Sequence, residues 1–142
     1  MKKILIIITI FFSTISTISA EEIKRIVVGN KDAKITIIAF ESLTCSHCAN
    51  FHKDVFPELK KEYLDTGLAK IEFRHFPLDV AAFNASKVAQ CNNDGDSKIL
   101  NKLYLNQQKW VKGSSVEEAN NNLQKFLIEE GVNVDFQTCI NN

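Results

Sequence analysis

The stretch that decides the fold is residues 35–64, ITIIAFESLTCSHCANFHKDVFPELKKEYL. Its first six residues are apolar or β-branched, which predicts a buried β-strand over residues 35–40. The following segment, residues 49–64, places apolar side chains at helical spacing and predicts a helix. These apolar positions are Phe51, Val55, Leu59 and Tyr63. The pattern is therefore a strand that leads directly into a helix.

A Cys-x-x-Cys motif, Cys45-Ser46-His47-Cys48, occupies the junction between this strand and this helix. The first sulfur then lies over the helix N-terminus, where unpaired backbone N–H groups and the helix dipole favour a thiolate. Thiol–disulfide exchange needs that environment. The alternatives are an inert disulfide or half of a zinc site, but two cysteines alone do not complete tetrahedral zinc. We expect Cys45 to be exposed and Cys48, within the first helical turn, to be less accessible.

The remaining sequence predicts one α/β segment followed by helices. A first strand is predicted within residues 21–28 and a third strand over residues 69–76. Pro57 should kink the long helix between strands two and three, because proline lacks a backbone N–H donor. Four helices are predicted after the third strand, over residues 80–91, 96–105, 116–129 and 135–140. The order is β-β-α-β and then helices, without internal repeats or a linker.

The N-terminus has the features of a secretory signal peptide. Two lysines, an apolar run over residues 4–12 and a small-residue end at Ala20 predict a signal peptide over residues 1–20. A membrane span is the weaker alternative, because serines and threonines interrupt the apolar run early. All four cysteines then lie in the exported part, where disulfides persist. The 17 basic and 17 acidic residues balance, so no charge pattern indicates a nucleic-acid partner.

Two segments carry a resemblance to a known family. Residues 40–52 (FESLTCSHCANFH) and 73–79 (FRHFPLD) resemble DsbA-like thiol–disulfide oxidoreductases, most closely the branch with C-x-H-C followed by A-N-F-H. The resemblance implies a thioredoxin fold with a helical insertion. Residues 21–79 would then be the N-terminal part of the thioredoxin-like domain, and residues 80–142 the insertion.

The resemblance also implies a function. Cys45 would be the nucleophile and Cys48 the resolving cysteine of an enzyme that oxidises reduced, exported proteins in the periplasm. A DsbB-like membrane partner would reoxidise it, and no separate cofactor would be needed. A disulfide isomerase or reductase is an alternative in the same class. A non-catalytic interaction module is an alternative from a different class.

The other cysteines and histidines receive separate interpretations. An imidazole at His47 can stabilise the Cys45 thiolate, and the resemblance implies a more oxidising disulfide as the result. Cys91 and Cys139 are either buried free thiols or a second, structural disulfide. Export and an even cysteine count favour the disulfide. His52 and His75 are expected to be partly exposed packing or surface residues.

Two features depart from the family pattern. Relatives place a buried acid six positions before the first cysteine, where this chain has Ala39; Glu41 is on the same strand face but receives no assigned role. The family's cis-proline loop follows the insertion, whereas the only prolines here are Pro57 and Pro77. We therefore expect a truncated member that lacks the C-terminal strands, with an exposed apolar edge along residues 35–40 and weak or partner-dependent folding.

Overall fold

The structure is a computed structural model that describes residues 22–141, and the predicted signal peptide over residues 1–20 lies outside this part. The strands are β1 (Ile26–Gly29), β2 (Ile35–Glu41) and β3 (Ala69–His75). The α-helices are α1 (Ser46–Asn50), α2 (Phe56–Leu59), α3 (Val80–Gln90), α4 (Lys98–Leu105), α5 (Gln107–Trp110), α6 (Val116–Glu129) and α7 (Phe136–Asn141). No helix among these is long and apolar enough to cross a bilayer.

The three strands form one mixed sheet in the order β1-β3-β2. β1 pairs antiparallel with β3, and β2 pairs parallel with β3. The segment from β2 through α1 and α2 to β3 is thus a β-α-β crossover, which a parallel pair requires. This arrangement confirms the predicted thioredoxin-like α/β fold class. The predicted α/β core and the helices that follow it are both present.

The helix after the cysteine motif begins at Ser46, so Cys48 lies within its first turn as predicted. The helix alternates between helix types. π-Helical turns over Phe51–Val55 and Lys60–Leu64 surround α2. Pro57 lies in the first turn of α2, directly after the first π-helical turn. There the Phe56 N–H bonds to the carbonyl of Phe51, five residues back. A proline is tolerated in a first turn, so the predicted irregularity at Pro57 takes the form of a change in helix type.

The hydrophobic core joins the sheet to the helical segment. Ile71 and Phe73 of β3 lie in the same cluster as Leu103 of α4 and Phe126 of α6. Trp110 is 1% exposed, and its indole N–H donates to the Leu103 carbonyl at 2.9 Å. Trp110 and Phe126 therefore belong to the core of the helical segment. The short helix α5, which carries Trp110, was not predicted.

β2 forms one edge of the sheet within residues 22–141. Three of its apolar side chains are largely exposed: Ile35, Ile38 and Phe40. The adjacent side chains on the middle strand are charged, because Ile38 is paired with Glu72 and Phe40 with Arg74. Glu72 is buried and bonded to Arg25 and Arg74 at 2.9 and 2.7 Å, which lowers the pKa of its carboxyl, mainly through the Arg74 bond. The exposed apolar edge expected from the sequence is therefore present.

Candidate active site

Cys45 is the N-cap residue of α1. Its backbone is extended, and its Sγ accepts a hydrogen bond from the Cys48 N–H at 3.4 Å. A sulfur thereby occupies the position that a serine or aspartate oxygen takes in an ordinary N-cap. The strand β2 and the short turn that follows it place this sulfur at the helix start, as the sequence pattern predicts.

The two thiols of the motif have opposite ionisation tendencies. Hydrogen bonds from the Cys48 N–H and the Cys48 thiol lower the pKa of Cys45, with a smaller contribution from the His47 N–H. Burial is the main cause that raises the pKa of Cys48 to about 11. Cys48 also packs against the hydrophobic core. At neutral pH the favoured nucleophile is therefore the Cys45 sulfur, and Cys48 keeps its proton.

His47 is exposed between the two cysteines. The part of His47 that contributes to the lowered pKa of Cys45 is its backbone N–H group. Within the described part of the chain its imidazole makes no hydrogen bond or ion pair. The tuning role assigned to this imidazole stays a prediction.

Glu41 and His52 form a buried pair below the motif that the sequence interpretation missed. Glu41 is 8% exposed and His52 2% exposed, and Oε2 of Glu41 lies 2.7 Å from Nε2 of His52. The expectation that His52 is a partly exposed packing or surface residue was wrong. His52 lies four positions after Cys48, so both side chains face the sheet from the same side of the helix. That spacing, with Glu41 on the core-facing side of β2, was the signal available in the sequence.

Aromatic rings enclose this pair. The ring of Tyr104 stacks on that of His52 with centroids 4.0 Å apart, and the Phe73 and Phe56 rings lie 5.0 and 5.4 Å away. Burial, followed by the charge of Glu41, raises the pKa of Tyr104, so its phenol stays protonated. His75 is paired in register with Glu41 and is only partly buried, as expected; burial lowers its pKa.

Residues of the helical segment hold the loop that precedes α1. The buried side chain of Gln107 in α5 donates to the carbonyls of Leu43 and Cys45, both at 2.9 Å. The Thr44 hydroxyl donates to Asp79 at 2.7 Å, and Asp79 also caps α3. Bonds to α5 and to the N-cap of α3 therefore fix the backbone that presents the Cys45 sulfur.

Cys91 and Cys139 are joined by a disulfide that connects the C-terminal end of α3 to α7. Their Cα atoms are 5.3 Å apart, and 48 positions separate them in sequence. Lys87 of α3 adds a second link, because its ammonium group donates to the Ile140 carbonyl at 2.7 Å.

Cavities and metal ligands add little to the site. A groove of about 300 Å³ lies beside the motif, between α1 and α4–α5, and includes Ser46, Lys53 and Gln107 in its lining. A larger cavity of about 660 Å³ is lined by residues around β1, including Lys24 and Arg25, and by none of the motif residues. Among residues 22–141, no cluster of three or more His, Cys, Asp or Glu side chains has the arrangement of a metal site.

Comparisons with known proteins agree with this geometry. The family model described as thioredoxin matches residues 21–142. The solved structure of Wolbachia pipientis alpha-DsbA1 is 30% identical in sequence and superposes with a TM-score of 0.72. The match covers 83% of this chain and 60% of the Wolbachia chain.

Two curated relatives have names that describe disulfide chemistry. A Rickettsia conorii protein named provisionally as a protein-disulfide oxidoreductase is 30% identical over 119 residues, which is 82% of this chain and 42% of that protein. Disulfide bond formation protein D of Bacillus subtilis is 36% identical over 94 residues, which is 60% of this chain and 42% of that protein. The chain thus spans less than half the length of these relatives. It belongs to the thioredoxin family, and within that family it is similar to DsbA-like thiol–disulfide oxidoreductases.

Proposed function

We propose that this chain oxidises thiols of exported polypeptides, with Cys45 as the nucleophile and Cys48 as the resolving cysteine. The observation that carries the proposal is the position of Cys45 as the N-cap of α1, where its Sγ accepts a hydrogen bond from the Cys48 N–H at 3.4 Å. The pKa of Cys45 is lowered by hydrogen bonds, whereas burial raises that of Cys48 to about 11. A thiolate both attacks and leaves more readily than a thiol, so exchange takes place at Cys45.

In the oxidising direction, a substrate thiolate attacks Sγ of Cys45 in the Cys45–Cys48 disulfide. A bond forms between the substrate sulfur and Cys45, and Cys48 leaves with the electron pair as a thiolate. A second substrate thiolate then attacks the first substrate sulfur, which forms the substrate disulfide and releases Cys45 as a thiolate. Two electrons thereby pass to the cysteine pair. Stabilisation of the Cys45 thiolate favours the reduced protein, which makes the disulfide oxidising.

Glu41 is the group that exchanges a proton with Cys48 in this scheme. Its carboxylate is buried under the motif, and its negative charge contributes to the raised pKa of Cys48. When Cys48 leaves as a thiolate, a protonated Glu41 supplies the proton. When Cys48 attacks a mixed disulfide, the Glu41 carboxylate accepts it. Proton transfer by a positioned carboxyl is a common form of general acid–base catalysis.

We place this reaction in the periplasm, with reduced, unfolded exported proteins as substrates and a quinone-linked, DsbB-like membrane protein as the reoxidant. The signal-peptide pattern of residues 1–20 supports export. The Cys91–Cys139 disulfide supports it too, because such bonds persist in oxidising compartments. The name of the Bacillus subtilis relative, a disulfide bond formation protein, favours the oxidising direction.

The test is the oxidation of a reduced, unfolded protein by the oxidised form of this chain, with Cys45→Ser as the matched inactive control. Equilibration with glutathione buffers of known composition gives the reduction potential of the pair. A potential well above that of glutathione supports the oxidase. A potential well below it would support a reductase, and a folded protein without exchange at Cys45 would support a non-catalytic role.

A further inference from the structure

The imidazole of His52 is bound through one nitrogen only. Nε2 lies 2.7 Å from Oε2 of Glu41, whereas Nδ1 is buried and makes no hydrogen bond to any residue between 22 and 141. A protonated imidazolium would carry a donor at both nitrogens, and the Nδ1–H would be buried without an acceptor. The favoured form is therefore the neutral ring with its hydrogen on Nε2, donating to the Glu41 carboxylate.

Packing fixes the position of this donor. The His52 ring stacks on Tyr104 at 4.0 Å with an interplanar angle of 15°, and its centroid lies 5.0 and 5.4 Å from those of the Phe73 and Phe56 rings. With 2% exposure the ring cannot rotate to water. His52 lies on the helix that begins at the cysteine motif, so that helix carries both the thiols and the group that binds Glu41.

The titratable groups around the pair come from each element packed against it. They are Cys45 and Cys48 at the start of α1, His75 on β3 and Tyr104 on α4, and the charge of Glu41 contributes to the pKa of each one. His75 and Tyr104 are held neutral by burial, which lowers the pKa of the histidine and raises that of the phenol. Glu41 is therefore the group in this cluster suited to exchange a proton with Cys48.

We propose that His52 is the positioning residue that holds the Glu41 carboxylate ready to accept the proton of Cys48. The proposal rests on the function proposed above. As the Cys48 thiol loses its proton to Glu41, its sulfur attacks Sγ of Cys45 in a mixed disulfide. The Cys45–Cys48 bond forms, and the bond to the other sulfur breaks with its electron pair on the departing thiolate. The His52 N–H binds Glu41 throughout and holds its carboxylate group in place below the cysteine motif.

The experiment separates formation of a mixed disulfide from its resolution. Reduced protein is mixed with excess glutathione disulfide, and acid-quenched samples are analysed by mass spectrometry over time. The Cys48→Ser variant gives the rate of mixed-disulfide formation at Cys45 alone. His52→Phe keeps an aromatic ring but has no N–H donor, whereas His52→Gln restores a donor on a side chain of different shape.

We expect His52→Phe to slow resolution at pH 7 by about 10-fold and to leave formation within about 2-fold of the parent chain. The deficit should shrink as the pH rises toward the pKa of Cys48, about 11, because the thiol then ionises without help. His52→Gln should recover most of the lost rate. Glu41→Gln should slow resolution at least as much as His52→Phe, and the double variant should be no slower than Glu41→Gln, because both changes affect one step.

Equal resolution rates in the parent chain and His52→Phe would overturn the proposal. So would a His52→Gln variant as slow as His52→Phe, because ring packing and not the donor would then matter. Absence of any mixed disulfide at Cys45 would instead overturn the proposed function. Nitrogen-15 spectra of the parent chain test the inference without a variant or a reaction: we expect the neutral Nε2–H tautomer of His52 at pH 7, and an imidazolium or an Nδ1–H tautomer there would refute it.

Discussion

The chain contains two cysteine pairs that differ in spacing, position and bonding. Cys45 and Cys48 lie within one helical turn at the start of α1, and both are free thiols. Cys91 and Cys139 are separated by 48 positions and form a disulfide between α3 and α7. Cys45 is partly exposed in its loop, whereas Cys139 is 2% exposed within the core cluster.

The difference shows how placement decides what a cysteine pair does. A disulfide that closes a loop of 48 residues restricts the unfolded chain, which stabilises the fold by roughly 4 kcal/mol in the chain-entropy model. A pair within one helical turn restricts little, but it lies where N–H groups stabilise a thiolate. The first arrangement favours stability, and the second favours exchange.

The largest effect is expected within the reactive pair itself. Cys45→Ser should reduce mixed-disulfide formation with glutathione disulfide by at least about 1,000-fold, because a serine hydroxyl does not form a thiolate at neutral pH. Cys48→Ser should still form the mixed disulfide but accumulate it. Mass spectrometry of acid-quenched reactions measures both. A Cys45→Ser variant that retains normal exchange would contradict the assignment of Cys45 and Cys48 as the exchanging pair.

Removal of the second pair should affect stability and leave exchange intact. The double variant Cys91→Ala/Cys139→Ala should lose about 4 kcal/mol of unfolding free energy. Urea titration of the oxidised proteins measures the loss, and the rate of mixed-disulfide formation at Cys45 should stay within about 2-fold of the parent rate. An unchanged urea midpoint, or a large loss of exchange in a folded variant, would contradict this division of roles.

The pH dependence of alkylation should separate Cys45 from Cys48. Because the pKa of Cys45 is lowered, its rate with iodoacetamide should reach half of its maximum below the ordinary thiol value of about 8.5. Cys48 should react only as the pH approaches about 11. At pH 7 we expect at least about 100-fold selectivity for Cys45, measured by peptide mass spectrometry. Equal labelling of both cysteines at that pH would contradict the assigned roles.

These two pKa shifts also make the folding stability of the reduced protein depend on pH, in opposite directions. The lowered pKa of Cys45 stabilises the fold above the ordinary thiol pKa, and this contribution is lost as the pH falls through the folded pKa. The raised pKa of Cys48 acts in the opposite sense, because the folded state retains a proton that the unfolded state has lost. Between about 8.5 and about 11, Cys48 therefore makes stability fall as the pH rises.

The smallest effect is expected at His47. Replacement by alanine should raise the pKa of Cys45, because an imidazole near the thiolate is removed. The rise should be smaller than the total lowering, since the His47 N–H and the Cys48 N–H that contribute to it remain in the alanine variant. Thiolate absorbance in the ultraviolet against pH, recorded for parent and variant, measures the change. If the titration curve of the variant matches that of the parent, the His47 imidazole does not tune the pKa of Cys45.

Much of the fold was predictable because its signals are local. The apolar, β-branched run of residues 35–40 and the helical spacing after it both depend on near neighbours. The predicted bounds of α6 agree with the structure, and the Ser115 side chain caps it by accepting from the Glu118 N–H. The irregular helix around Pro57 was predicted as a kink, but a π-helical turn is not distinguishable from an α-helix by periodicity alone.

The candidate site divides in the same way. The positions of Cys45 and Cys48 relative to strand and helix follow from the sequence, because a strand, a short turn and a helix N-terminus are contiguous. The pairing of Glu41 with His52 does not follow from the sequence. The pair is buried because Tyr104, from the distant helix α4, stacks on the His52 ring. The Gln107 bonds to the Leu43 and Cys45 carbonyls likewise join positions 64 and 62 residues apart.

The sequence by itself determined the β-β-α-β order, the helices that follow, and a cysteine motif at a helix start, because backbone propensity and side-chain periodicity act over a few residues. Only the tertiary structure decided which polar groups became buried beside that motif. Burial depends on what packs above a residue, and the covering helices come from distant parts of the chain. His52 illustrates this: its sequence neighbours suggest a partly exposed residue, but α4 and β3 enclose it against Glu41.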